Sequence, residues 1–175
     1  MAQIRPIIDH LQPGLRLLFV GYNPSIRSGE TGHHYANPRN RFWTILEQSG
    51  ITERRYTAEE DQDLLQYGIG FTNIVPRPTQ TAAEITAEEY AEGRVELRRK
   101  IERLKPERVC FVGKGVYEAY SSRRTRSWGF QSEPIVPGVK DFVAPSSSGL
   151  VRMKLEAIVD IYKLLAEDLL YNSKA

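Results

Sequence analysis

The chain has 175 residues, 41% hydrophobic and 26% charged, and its 24 basic against 22 acidic side chains leave a net charge of +2. That length supports a single domain over residues 1–175 with a real core, and the composition is ordinary for a soluble globular protein. No apolar run approaches the ~18–20 residues of a membrane span, no basic-then-apolar leader opens the chain, and the balanced charge announces no polyanion partner, although a local basic surface is compatible with it. The single cysteine, Cys110 in RVCFVG, reads as a small core residue in a reducing, cytoplasmic setting and excludes a four-cysteine zinc or iron–sulfur site.

Strand-like and helix-like segments alternate along the chain. Leu15–Val20 is apolar enough for a buried strand, Gly21 stops it, and Asn23-Pro24 starts a turn, because proline fixes its own φ and disfavours the helical region at Asn23. About twenty residues follow with few aliphatic side chains and many donors, a length that in a compact domain marks a functional or a disordered loop. Tyr35 and Phe42-Trp43 give this one surface to pack, so it reads as an ordered site loop over residues 21–40.

Arg41–Gln48 is a helix ended by Gly50, and Thr57 with Glu60 forms a capping box ahead of a short acidic helix that stops at Gly68. Ile69–Val75 is the second strand, broken by Pro76 and Pro78. A second capping box, Thr86 with Glu89, opens a helix to Leu104 whose face carries Tyr90, Leu97, Ile101 and Leu104. Arg108–Val112 is the third strand, Gly113–Tyr120 a short helix, and Asp141–Ala144 the fourth strand. Leu155, Ile158, Val159, Tyr162, Leu165 and Leu169 make the last helix amphipathic. The alternation implies a three-layer α/β/α fold with a central, mainly parallel sheet of four to five strands flanked by helices. In such sheets sites gather outside the carboxyl ends of the strands, where the loops 21–40, 73–82, 113–116 and 145–153 fall.

Three of these segments carry motifs. GYNPSIRSGETGHHYANPRNRFW (Gly21–Trp43), GFTNIVPRPT (Gly70–Thr79) and APSSSGL (Ala144–Leu150) resemble, in order and spacing, the mismatch-specific uracil and thymine DNA glycosylases of the uracil-DNA glycosylase superfamily. The family pattern is a strand, then G-[I/V/Y]-N-P-G, a small-residue turn, G-x-x-[F/Y] and N-x-F-W. The resemblance runs from about Pro13 to Leu169. The tripled serine, Asn73 and GHHY (Gly32–Tyr35) lean to the thymine-glycosylase branch, whereas Gly149-Leu150 looks more like the bacterial mismatch-specific branch. Ser25 departs from the family's glycine.

The resemblance implies roles that the residue chemistry can carry. Glycosylases extrude the target nucleotide at a cost of a few kcal/mol, least for a mispaired base. Asn23 would orient the attacking water through its carboxamide oxygen, since an amide positions better than it deprotonates; the bland alternative is a simple Asn-Pro turn. Tyr35 would stack on the flipped base, against the alternative of pinning the loop to the core. Asn73 would contact the base or assist the water, or else be an ordinary strand-end cap. Tyr22, Ser25, Ser28 and His34 complete the expected base pocket. Ser146, Ser147 and Ser148 offer hydroxyls and successive amides to phosphate, Gly149-Leu150 resembles the wedge that fills the vacated stack, and Arg152, with Lys154, would hold flanking phosphates.

Three further signals are weaker. His33-His34 has no third ligand at metal spacing, and Gly113-Lys114-Gly115 lacks the Walker pattern and reads as a tight strand-to-helix turn. Ser121–Ser127 carries three arginines that either touch DNA or are solvated. The expected activity is monofunctional removal of uracil and thymine from G·U and G·T mispairs, without metal or cofactor, by a monomer acting on double-stranded DNA upstream of an abasic-site endonuclease. The rivals are a catalytically weak mismatch-binding protein and a nucleotide-phosphate enzyme built on Gly113–Gly115.

Overall fold

Alternating side chains along each strand build two apolar cores, one on each face of a central sheet. In the computed structural model, which describes residues 5–125 and 127–171, the first strand β1 (Leu17–Gly21) sends Leu17 and Phe19 to one face and Leu18 and Val20 to the other. It is followed by α1 (Ile26–Thr31), α2 (Phe42–Ser49), a 3-10 helix over Ala58–Tyr67, and β2 (Ile69–Asn73). A 3-10 turn over Ala82–Glu84 leads to α3 (Ala87–Leu104), β3 (Arg108–Val112), α4 (Lys114–Ser121), β4 (Gly129–Phe130), β5 (Lys140–Ala144) and α5 (Leu155–Tyr171).

The sheet order is β2-β1-β3-β5-β4, with every neighbouring pair parallel except β4 against β5. Parallel neighbours need long crossovers, and the helices supply them. The first core joins Phe19, Phe71, Cys110 and Phe142 to α2 and α5; the second joins Val20, Phe111 and Val143 to α3 and α4. The three-layer α/β/α fold expected from the sequence is therefore present.

Both expected capping boxes form: the Thr57 and Thr86 amides donate to Glu60 and Glu89. The differences from the sequence reading are local. Strands one and two cover 17–21 and 69–73 rather than 15–20 and 69–75, and β4 was not anticipated: two residues on the sheet edge carry no alternation to read. The site loop is not irregular throughout. It holds α1, which Ser25 opens by accepting the Ser28 amide at 3.1 Å and Gly32 closes in the left-handed conformation.

Candidate active site

At the carboxyl end of β1 the chain turns sharply, and the turn is fastened from both sides. The Gly21 and Tyr22 carbonyls accept the Ile74 and Val75 amides at 2.9 Å, which prolongs the pairing with β2 beyond the regular strands. Asn23 then projects beside the segment 77–79. Its Nδ2 donates to the Arg77 carbonyl and to the Thr79 hydroxyl, each at 2.7 Å. Thr79 is buried and donates its own hydroxyl proton to the Thr81 carbonyl at 2.7 Å. With both amide hydrogens used, Asn23 presents Oδ1 as its remaining polar atom. Arg77 is held in turn by Glu89 at the start of α3, through a two-pronged pair at 2.8 and 2.9 Å.

Tyr35 follows from the same loop. Its φ of +52° places it in the left-handed region, a conformation held here by Phe42 and Trp43. The ring lies flat on Phe42, 3.7 Å between centroids and 5° between planes, and the Trp43 indole donates to the Tyr35 carbonyl at 3.2 Å. The Asn40 side chain accepts the Phe42 amide at 3.0 Å and opens α2, so the whole N-x-F-W segment serves to seat Tyr35. Its hydroxyl is buried without a partner, and burial pushes its pKa up. A Cβ at Gly21 would lie 2.7 Å from Asn73 Oδ1 and 3.2 Å from the Tyr35 hydroxyl, so glycine there lets these two side chains close over the strand end.

His34 is 2% exposed and forms the wall behind them. Its Nε2 bonds the Ile8 carbonyl at 3.0 Å, which requires the proton on Nε2, and its backbone amide donates to Asp61 at 2.8 Å. Its ring stacks on Phe71. Burial drives its pKa down to about 4, so the imidazole is neutral at physiological pH. His33 Nδ1 reaches the second Asp61 oxygen at 3.2 Å. Among the described residues His10, His34 and Asp61 bring ligand-type atoms within 4.8 Å of one another. That cluster was invisible in the His33-His34 pair, because His10 and Asp61 arrive from separate segments. Its bonds tether the Tyr35 loop to the chain around Ile8 and to the 3-10 helix.

Opposite stands the serine loop after β5. Ser147 is 1% exposed and its carbonyl accepts the Arg41 amide at 2.9 Å; the Ser146 and Ser148 hydroxyls accept the amides of Ser148 and Leu150, both at 3.2 Å. The Arg41 guanidinium reaches the carbonyls of Ser148, Val151 and Met153 at 3.3–3.4 Å. Sequence reading placed Arg41 only at the start of a helix; its partners lie over a hundred residues away. A Cβ at Gly149 would stand 2.7 Å from the Arg39 carbonyl, so only glycine lets the two loops meet. The next residue, Leu150, is 85% exposed.

These loops enclose a cavity of about 640 Å³. Asn23, Tyr22, Ser25, Ser28, His34, Tyr35, Asn73 and Ser146–Leu150 all line it, as do Thr79 and Arg39; Arg152 is exposed and lies outside the lining. Among its described lining residues there is no Asp, Glu or Lys. The cavity thus offers amides and hydroxyls around one aromatic face, with neither a carboxylate base nor an amine nucleophile.

Gly113-Lys114-Gly115 does not form a phosphate cradle. The Tyr22 ring fills the start of α4: a Cβ on Gly115 would sit 1.9 Å from the phenol oxygen. In Ser121–Ser127, Arg123 is engaged with the Glu133 carbonyl at 2.6 Å, and Arg126 lies outside the described residues.

Residues 8–169 match the model of the uracil DNA glycosylase superfamily. The fold is similar to the solution structure of a protein from Methanosarcina acetivorans described as a candidate uracil DNA glycosylase. That similarity has a TM-score of 0.61 at 21% identity, over 94% of this chain and 98% of that one. The match spans nearly every element that shapes the cavity, from the segment before β1 into the last turn of α5, and the chain belongs to the uracil DNA glycosylase superfamily.

Proposed function

We propose that the chain is a monofunctional DNA glycosylase that hydrolyses uracil, and also thymine and other 5-substituted uracils, from mispairs with guanine. The observation that carries this reading is Asn23, whose amide hydrogens are both bound, so that Oδ1 is the acceptor left at a cavity lacking carboxylates. Such an oxygen orients a water for attack on the sugar carbon without removing its proton in advance. The bond from that carbon to the base breaks with its electron pair leaving on the base, and water oxygen bonds to the oxocarbenium-like carbon. The water's proton passes to solvent or to the departing base.

The free face of Tyr35 is the surface for the flipped base, because Phe42 covers the other. Asn73 reaches the polar edge of that base. Leu150 fills the gap left in the stack, and the serine loop meets the backbone beside it. The lack of a lysine in the lining supports hydrolysis without a covalent amine intermediate, and hence without strand cleavage. The small Ser25 leaves room for a 5-methyl group. The enzyme is proposed to act as a monomer without a cofactor and to hand an abasic site to an endonuclease.

Duplexes carrying uracil, thymine, hypoxanthine or ethenocytosine opposite each base test this directly, with alkaline cleavage reporting abasic sites. Excision of uracil and thymine opposite guanine is expected. Tight mispair binding with no abasic product would instead identify a recognition protein.

A further inference from the structure

Tyr22 sits between the Asn23 turn and the start of α4, a helix that does not line the cavity. Its backbone carbonyl accepts the Val75 amide, which fixes the main chain beside the catalytic candidate. Its ring crosses to the junction of β3 and α4, where ideal Cβ atoms on Gly113 and Gly115 would stand 3.1 Å and 1.9 Å from ring atoms. The phenol oxygen lies against the first amides of α4, those of Gly115 and Val116, which act on it electrostatically. Gly113 has a φ of +120°, open to glycine alone, whereas Gly115 lies in the first turn of a helix where alanine would ordinarily be favoured. The absence of a side chain at Gly115 is therefore explained by Tyr22 and not by the helix.

We infer that Tyr22 is a positioning residue for Asn23, and that Gly115 sets its position by leaving the space its ring tip occupies. The inference rests on the proposed glycosylase function. The ring props the turn 21–24 from the side opposite Thr79, so Asn23 is braced from both directions. Displacing the ring by the bulk of one methyl group would shift the water-bearing oxygen by a fraction of an ångström to an ångström, and misplacements of that size cost up to about a hundredfold in rate.

Gly115→Ala is the decisive variant, because Gly115 does not line the cavity and alanine favours the helix. Its single-turnover excision of uracil opposite guanine should fall about tenfold or more. Its dissociation constant for the duplex should stay within about twofold, and its thermal midpoint should fall only modestly, because the helix propensity gained offsets part of the crowding. Adding Tyr22→Phe removes the oxygen nearest the new methyl and should recover at least about threefold of the lost rate, a suppression that coupled neighbours allow and independent defects do not. Excision by Gly115→Ala at the wild-type rate, or a double variant no faster than the single one, overturns the positioning role. Wild-type protein that releases no base from any duplex overturns the glycosylase reading, and the positioning role falls with it.

Discussion

The side-chain amide of Asn23 donates to the Thr79 hydroxyl across 2.7 Å, and that bond decides which end of the amide is left for a water. The Thr79 hydroxyl proton is spent on the Thr81 carbonyl, so its oxygen can only accept from Asn23, and the amide cannot flip without losing two bonds.

Asn23→Ala should therefore remove most base release while duplex affinity stays within about tenfold, since a positioning group acts in the transition state. Thr79→Val keeps the shape but leaves the amide held by the Arg77 carbonyl alone, and about a tenfold lower single-turnover rate is expected. Near-normal excision by the alanine variant would reassign the water to another group, with Asn73 the first to test.

Leu150, 85% exposed, is the most exposed aliphatic side chain among the described residues of the rim. Leu150→Ala should lower excision from duplexes tenfold or more, at ~0.8 kcal/mol for each buried CH₂ lost. Single-stranded substrates need no opening and should be cut almost normally. Equal losses on both would make Leu150 a structural residue of the serine loop.

Ser25 has two jobs that one substitution confounds. It caps α1 and it lines the cavity. Ser25→Tyr should exclude thymine and 5-substituted uracils while keeping some uracil release, and a lost cap costs about 1 kcal/mol of stability besides. Ser25→Ala loses the cap alone and should still release thymine. If it rejects thymine as well, the methyl group is gated elsewhere in the cavity.

Acid should loosen the wall behind the cavity. Burial is the main cause that holds the His34 pKa at about 4, against 6.5 in an unfolded chain, so the folded form carries neutral imidazole. Between those values the unfolded state binds the extra proton. The contribution is complete above pH 6.5 and is lost as the pH falls towards 4, up to about 3 kcal/mol at 1.36 kcal/mol per unit. His34→Gln retains an amide donor but does not titrate. Urea midpoints of the two proteins measured from pH 7.5 to 4.5 should converge as the pH falls; parallel curves would show that His34 does not govern this window.

Much of the sheet was legible because buried parallel strands announce themselves: LLFV, IGF and RVCFV are apolar on both faces. The site residues picked with the motifs line the cavity, Arg152 excepted, whereas Ile7, Gln80, Thr81, Ala82 and Val112 line it from outside the motifs. What stayed hidden shares one cause, dependence on distant partners. Asp61 reads as one more acid in an acidic helix until His33 and the His34 amide close on it. Arg108 reads only as the start of the third strand, yet it is buried against Asp168 on the last helix. Thr79 looked like the end of a motif and proves to orient Asn23. The short helix α1 did leave a signal, Ser25 three residues before Ser28 with Gly32 beyond, but IRSGET is too polar to show a periodicity.

Arg41 binds its own loop and the serine loop into one mechanical unit, with four carbonyls of the second loop tied to a single residue of the first. Leu150, the proposed wedge, and Tyr35, the proposed stacking surface, are thereby linked through one arginine. Any exchange of substrate range between relatives by grafting the serine loop would carry a hidden requirement: the donor's backbone must offer carbonyls where this arginine reaches. Recombination breakpoints between residues 41 and 147 should therefore be tolerated only in pairs of parents that agree at both ends of this tie.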